Sequence, residues 1–151
     1  MTLPPMSKAD YEKLAAFRYE LRRFLRFSEQ AAKEHGLAPM QYLALLAIEG
    51  FPGRDRVTVG ELAERLQVAA HTAVGLVDRL EAAGLAKRLS VKSDRRQVHV
   101  TLTAQGRSRL EKLAALHRQE IQTTGVTLVR ELSLLLERQP DRHIRLVNTI
   151  S

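Results

Sequence analysis

The sequence predicts a mainly α-helical fold that carries one small β-hairpin. Three observations lead there. Apolar residues recur at helical spacing along most of the 151 residues. Helix start and stop signals punctuate them at Ser7, Gly36, Pro39, Thr58, Gly84 and Thr103. Two short runs depart from that period: LAKRLSV (Leu85 to Val91) and VHVTLT (Val98 to Thr103) alternate in part on either side of KSDRRQ.

The first helix is expected from Ser7 to His35. Leu14, Phe17, Leu21, Phe24 or Leu25, and Ser28 fall on one line, with Arg18, Arg22, Arg23 and Arg26 between them. Ser7 with Asp10 supplies the N-cap, and Gly36 followed by Leu37 the stop. Pro39, suited to a first helical position, opens a second helix to about Glu49. Its Leu43, Leu45, Leu46 and Ile48 leave few polar sides, so it is expected to be buried. FPGRDR, residues 51–56, reads as a turn-rich connector.

In VTVGELAERL, Thr58 and Glu61 form a capping box while Val57 and Leu62 form a hydrophobic staple. A short helix therefore runs from Val59 to about Gln67. Another follows from about Ala70 to Ala83, with Ala73, Leu76, Val77 and Leu80 as its apolar stripe. Gly84 and Leu85 end it in Schellman fashion, Leu85 touching Leu80. Two short helices joined by a tight turn make a helix-turn-helix. In the hairpin beyond, Leu89, Val91, Val98, Val100 and Leu102 are expected to turn inward over the helices. Thr103 caps a helix to about Ile121, with Leu110, Leu113, Leu116 or His117, and Ile121 in line. QTTG weakens the pattern, and VTLVRELSLLLERQ is a last helical run before Pro140.

Composition removes whole classes of function. Without cysteine there are no disulfides, thiolate catalysis, thiol redox sensing or cysteine-based zinc sites. The five histidines lack tight ligand spacing with acids, which argues against a zinc sensor. No phosphate loop, nucleophile–base pair or metal cluster is present, so neither an enzyme nor a cofactor is expected. No apolar run approaches the roughly 20 residues needed to cross a bilayer, and MTLPPMSKADYEK lacks a signal-peptide core. A cytoplasmic location is the expectation.

Charge points to the partner. The net charge is +7, and from Arg79 to Arg109 eight Lys or Arg residues face only Glu81 and Asp94. Such a concentration suits a surface that follows phosphates. The second helix of a helix-turn-helix fits the major groove with its N-terminal residues leading. Here these are Ala70, His71 and Thr72, with Gly75 and Arg79 further along; Thr58, heading the preceding helix, joins them as a candidate. His71 can donate to a guanine edge or a phosphate, and Thr72 to a phosphate. Gly75 either admits close backbone approach or relieves crowding against a neighbouring helix. A hairpin beside a reading helix is a wing, and cations at its tip (Lys92, Arg95, Arg96) fall over the flanking minor groove.

These residues resemble the MarR family of bacterial transcription regulators. VGELAERLQV, HTAVGLVDRLEAAGL, SDRRQVHVTLT and TAQGR carry the resemblance, which extends from about Leu14 to Leu136. It implies a winged helix-turn-helix DNA-binding lobe over residues 37–103, within a single domain over 7–146. It implies also that residues 7–36 and 104–146 form a helical dimerisation lobe, interdigitating with a second copy. The family's Asp-x-Arg wing motif falls on Asp94 and Arg96, which makes Arg96 the minor-groove finger, Asp94 its orienter and Arg95 a phosphate contact. Two positions depart from the pattern: Ala69 and Ala70 stand where Ser or Thr often opens the reading helix, and Ala38 where Thr or Ser commonly precedes the second helix.

The resemblance implies a homodimeric repressor on a pseudo-palindromic operator, released by a small aromatic or lipophilic acid bound between the lobes. Arg18, Tyr19, Arg22 and Tyr42 are the candidates to line such a pocket, against the simpler reading of each as core or solvated helix face. The competing function is a winged-helix module that binds proteins through the same surface.

Overall fold

The computed structural model describes residues 2–90 and 97–137. Val91, the hairpin tip and the tail beyond Glu137 lie outside them. The fold is mostly helical with a small antiparallel sheet, in the order α1 (Lys8–Glu34), α2 (Pro39–Glu49), β1 (Arg56–Thr58), α3 (Val59–Leu66), α4 (Ala70–Ala82), β2 (Ala86–Ser90), β3 (Val98–Leu102), α5 (Ala104–Thr123), α6 (Gly125–Leu136).

Local signals set the helix ends. At α1, Asp10 N–H donates to Ser7 Oγ at 3.2 Å, and the Asp10 carboxylate accepts from Ser7 N–H at 2.8 Å. Its stop is a Schellman motif: Gly36 takes φ +73°, and Leu37 N–H reaches back to Ala32 O at 2.9 Å. The same device ends α4, where Gly84 takes φ +72° and Leu85 N–H donates to Leu80 O at 2.9 Å. At α2, Ala38 has no side-chain acceptor to offer. Gln41 Oε1 nevertheless accepts from the Ala38 N–H at 2.9 Å, so half of a capping box survives.

The sheet has the order β1-β3-β2 and therefore one strand more than the hairpin. Residues 51–56 were expected as connector throughout. Arg56 instead opens β1, which pairs Val57 with Val100 and Thr58 with His99. Three residues carry too little alternation to announce a strand, and only β3 makes them one.

Register corrects a second expectation. Leu89 stands opposite His99, while Ala86 and Arg88 stand opposite Leu102 and Val100. Residues opposite one another share a face, so Leu89 lies half-buried beside His99 on the face opposite Val100, and Arg88 shares the face of buried Val100. Val98, on the inward set, is 42% exposed.

Two compact units divide the chain: one comprises Arg26–Glu120, the other the residues on either side of it. The inner unit holds a continuous core from Ala31 and Ala32 through Tyr42, Leu45 and Ile48 to Val57, Leu62, Leu76, Val77, Leu80, Leu85, Val100, Leu102, Leu110 and Leu113. On α2 only one side joins it; Leu43 and Leu46 are exposed, so the helix is half as buried as its composition suggested. On α5 it is His117, not Leu116, that is buried. Its Nδ1 donates to Leu113 O at 2.8 Å and its Nε2 meets Ser28 Oγ at 2.7 Å, which satisfies both nitrogens.

The other unit has no comparable core. Gly125 is its only fully buried residue among those described. Tyr11, Leu14, Tyr19 and Leu25 of α1, Ile121 of α5, and Val126, Val129, Leu132 and Leu136 of α6 are all exposed. The apolar residues of these helices thus lie open to solvent rather than in a core.

Candidate nucleic-acid interface

The interface is built on α3 and α4. Thr58 Oγ1 accepts the Glu61 N–H at 3.1 Å, and Glu61 Oε1 accepts the Thr58 N–H at 3.2 Å, so the expected capping box is complete. Arg54 bonds the other oxygen of Glu61. Burial works to raise the Glu61 pKa, but hydrogen bonds from Thr58 and the charge of Arg54 outweigh it and hold the carboxyl below its ordinary value. Gln67 ends α3 in the left-handed region at φ 55°, its Nε2 donating to Glu64 O at 2.7 Å. That turn sends the chain into α4.

Helix α4 buries Ala73, Leu76, Val77 and Leu80 as expected. Its other side is open: His71, Thr72, Val74, Asp78 and Arg79 are exposed, and Gly75 is half-buried. Ala69 caps nothing, so the leading amides of α4 have no side-chain acceptor. Helix N-termini of this kind receive phosphate oxygens. At Gly75 an added Cβ would meet only Arg79 Nη1, at 3.9 Å. Among the described residues no neighbouring helix crowds it.

Val74 was not among the expected site residues. Its spacing from His71 and Asp78 puts it on the outward stripe, where it is 42% exposed. Arg88 was overlooked too. It is one of the eight Lys or Arg residues counted from Arg79 to Arg109, and its Nη2 pairs with Asp78 Oδ1 at 2.7 Å and its Nη1 with Glu81. Arg107 likewise faces Glu49 at 3.3 Å and Asp55 at 3.4 Å. The cationic surface is accordingly narrower than the formal count implies.

The wing candidates Lys92, Asp94, Arg95 and Arg96 fall outside the described residues. Of the ligand candidates, Arg18, Tyr19 and Arg22 are exposed on α1 in the outer unit. Tyr42 is buried in the inner one, its ring stacked on His117 with centroids 4.4 Å apart. Burial raises its phenol pKa. Among the described residues no group of three metal-ligating side chains gathers, and no helix is long and apolar enough to cross a membrane.

A sequence profile of the MarR family matches residues 35–97. The HTH-type transcriptional regulator TtmR of Methylorubrum extorquens (strain PA1) is 36% identical over 101 residues, covering 67% of this chain and 50% of that protein. The chain thus spans about half the length of the curated relative it matches. AbsC, a MarR family transcriptional regulator from Streptomyces coelicolor, superposes with a TM-score of 0.74 at 21% identity, over 89% of this chain and 94% of its own. BpsR of Bordetella bronchiseptica, whose structure concerns regulation of its DNA binding by 6-hydroxynicotinic acid, gives a TM-score of 0.60 at 23% identity, over 80% of this chain and 95% of its own. With a family profile that runs from the end of α1 through α4 and β2, and a relative 36% identical over two thirds of its length, this chain belongs to the MarR family.

Proposed function

We propose that this protein is a homodimeric, sequence-specific DNA-binding transcriptional regulator. One observation carries the reading: α4 buries Ala73, Leu76, Val77 and Leu80 and turns His71, Thr72, Val74, Gly75 and Arg79 outward, behind an N-terminus that no side chain caps. A helix so arranged enters a major groove with its first turn against phosphate and its outward stripe against base edges. His71 and Arg79 donate to bases or phosphates, Val74 meets a methyl group, and Gly75 admits the backbone. Thr58 serves first as a helix cap. Lys92, Arg95 and Arg96, with Asp94 as orienter, supply the flanking minor-groove contact.

The open apolar faces of α1 and α6 support a homodimer, which in turn calls for a pseudo-palindromic operator with half-sites about one helical turn apart. Residues 37–103 serve as the DNA-binding lobe, 7–36 and 104–146 as the dimerisation lobe. The regulator acts as a repressor in the cytoplasm and releases DNA on binding a small aromatic or lipophilic acid. BpsR, regulated by 6-hydroxynicotinic acid, supports that ligand class. Arg18, Tyr19 and Arg22 in the outer unit, and Tyr42 in the inner one, are the separate candidates for contact with such a ligand.

The test is selection of duplex fragments from random sequence, followed by titration across salt. Binding that weakens steeply with salt yet retains a preferred pseudo-palindrome is expected. Absence of duplex binding at low salt would leave protein recognition as the function of this surface.

A further inference from the structure

Helix α4 and strand β2 are joined by one side chain. Arg88 stands on the core-facing side of β2, opposite buried Val100, and that placement aims its guanidinium at α4. There Asp78 and Glu81, three residues apart, lie on one face of the helix. The Arg88 Nη2 pairs with Asp78 Oδ1 at 2.7 Å, and its Nη1 pairs with Glu81 Oε1. The second oxygen of Glu81 accepts the Arg88 main-chain N–H at 3.3 Å. β2 is an edge strand of the sheet, so this carboxylate also covers an amide that no neighbouring strand reaches.

Resting on the regulator reading above, we propose that Arg88 is a positioning residue that fixes the hairpin at one angle to the reading helix. Its clamp thereby sets the spacing between bases read by α4 and bases read beside it. Three features support that role over a phosphate contact. Its charge is balanced by two carboxylates. Two fork positions of the guanidinium are engaged at once, which fixes orientation as well as distance. The grip includes the strand backbone, so a rotation of β2 about its own axis breaks it.

Removing Arg88 would also leave Asp78 and Glu81 uncompensated close to DNA, and repulsion of phosphate alone could weaken binding. The experiment separates the two causes. Wild type, Arg88→Met, Arg88→Lys and the neutral triple variant Arg88→Met, Asp78→Asn, Glu81→Gln are titrated against two operator libraries. One varies the bases under α4, the other the flanking bases. Dimer mass and melting temperature are measured alongside.

Arg88→Met and the triple variant are both expected to lose most of their flanking-base preference while keeping the preference under α4. Arg88→Lys, which keeps charge but offers one point contact, is expected to recover only part of it. Recovery of full flanking preference in the triple variant would show that charge, not position, is what Arg88 supplies. A parallel loss in both libraries would reduce Arg88 to a general stabiliser, and unchanged flanking preference in all variants would refute the clamp. If wild type itself binds no duplex, the regulator reading fails and the inference goes with it.

Discussion

Gly106 rests its Cα directly on the Leu85 carbonyl: a Cβ built there would stand 1.9 Å from that oxygen. Thr103 anchors the contact, its hydroxyl donating to Gly84 O at 2.6 Å and accepting the Gly106 N–H at 3.0 Å. Its own N–H donates to Leu85 O at 3.1 Å. The Leu-Thr-x-x-Gly pattern is therefore the joint between the end of α4 and the start of α5. Gly106→Ala gains helix propensity of about 1 kcal/mol but must displace backbone, where overpacking typically costs about 1–3 kcal/mol and occasionally more. A net loss of up to about 2 kcal/mol is expected by urea denaturation.

The capping box gives a prediction in stability and pH. Thr58→Ala should cost about 1 kcal/mol. Glu61 titrates in the folded protein below its ordinary value of 4.5, so its contribution is fully present above that pH and is lost as pH falls through the folded value. The stability gap between wild type and Glu61→Gln should accordingly close on acidification below about pH 4.5. Thermal melts from pH 7 to pH 3 check the sign; a gap that widens in acid contradicts the assignment.

Gly75 separates stability from binding. Only Arg79 Nη1 lies near the space a methyl would take, at 3.9 Å, so Gly75→Ala should stabilise α4 by up to about 1 kcal/mol. If DNA approaches this position closely, the same change should weaken operator binding. A melting temperature that rises while affinity falls is the expected signature.

Base and phosphate contacts should respond differently. His71→Ala is expected to change preference among operator variants, whereas Arg96→Ala should lower the slope of log affinity against log salt by roughly one unit. Titrations at several salt concentrations read both effects. A uniform loss across sequences for His71→Ala would demote it to a phosphate contact.

The exposed apolar face of α6 predicts association. Val129 and Leu132 are 64% and 41% exposed, and Val129→Asp with Leu132→Asp should shift the protein from dimer to monomer in sedimentation while the inner unit keeps its helices. Operator affinity should fall with it, since a half-site alone loses the second lobe's contribution.

Much of this was legible in the residues because it is local. Ser7 with Asp10, Thr58 with Glu61, Gly36, Gly84 and Thr103 each act within a turn of helix, and helix boundaries followed from them. The α4 stripe of Ala73, Leu76, Val77 and Leu80 was equally plain, since 3.6-residue spacing alone separates inward from outward. That same spacing marked Val74 as outward. Leu116 and His117 could not be told apart, because adjacent positions at the edge of a stripe are decided by the neighbour that arrives. Here Tyr42 and Phe27 met the imidazole, 4.4 Å and 5.7 Å away.

The sequence by itself determined the helices, their caps, the helix-turn-helix and the resemblance that names the family. Tertiary structure alone decided that Arg56–Thr58 is a strand, that Leu89 lies on the face opposite Val100, and that Arg88 and Arg107 are paired cations. The physical reason is range. Helix periods and caps join residues three or four apart, whereas the sheet joins Val57 to Val100 and the Thr101 hydroxyl donates to Asp55 O across 46 positions. Cross-strand register and ion pairing come into being only when separate elements meet: Arg107 reaches Glu49 across 58 positions, and even Arg88 and Glu81, seven apart, pair only because β2 folds back on α4.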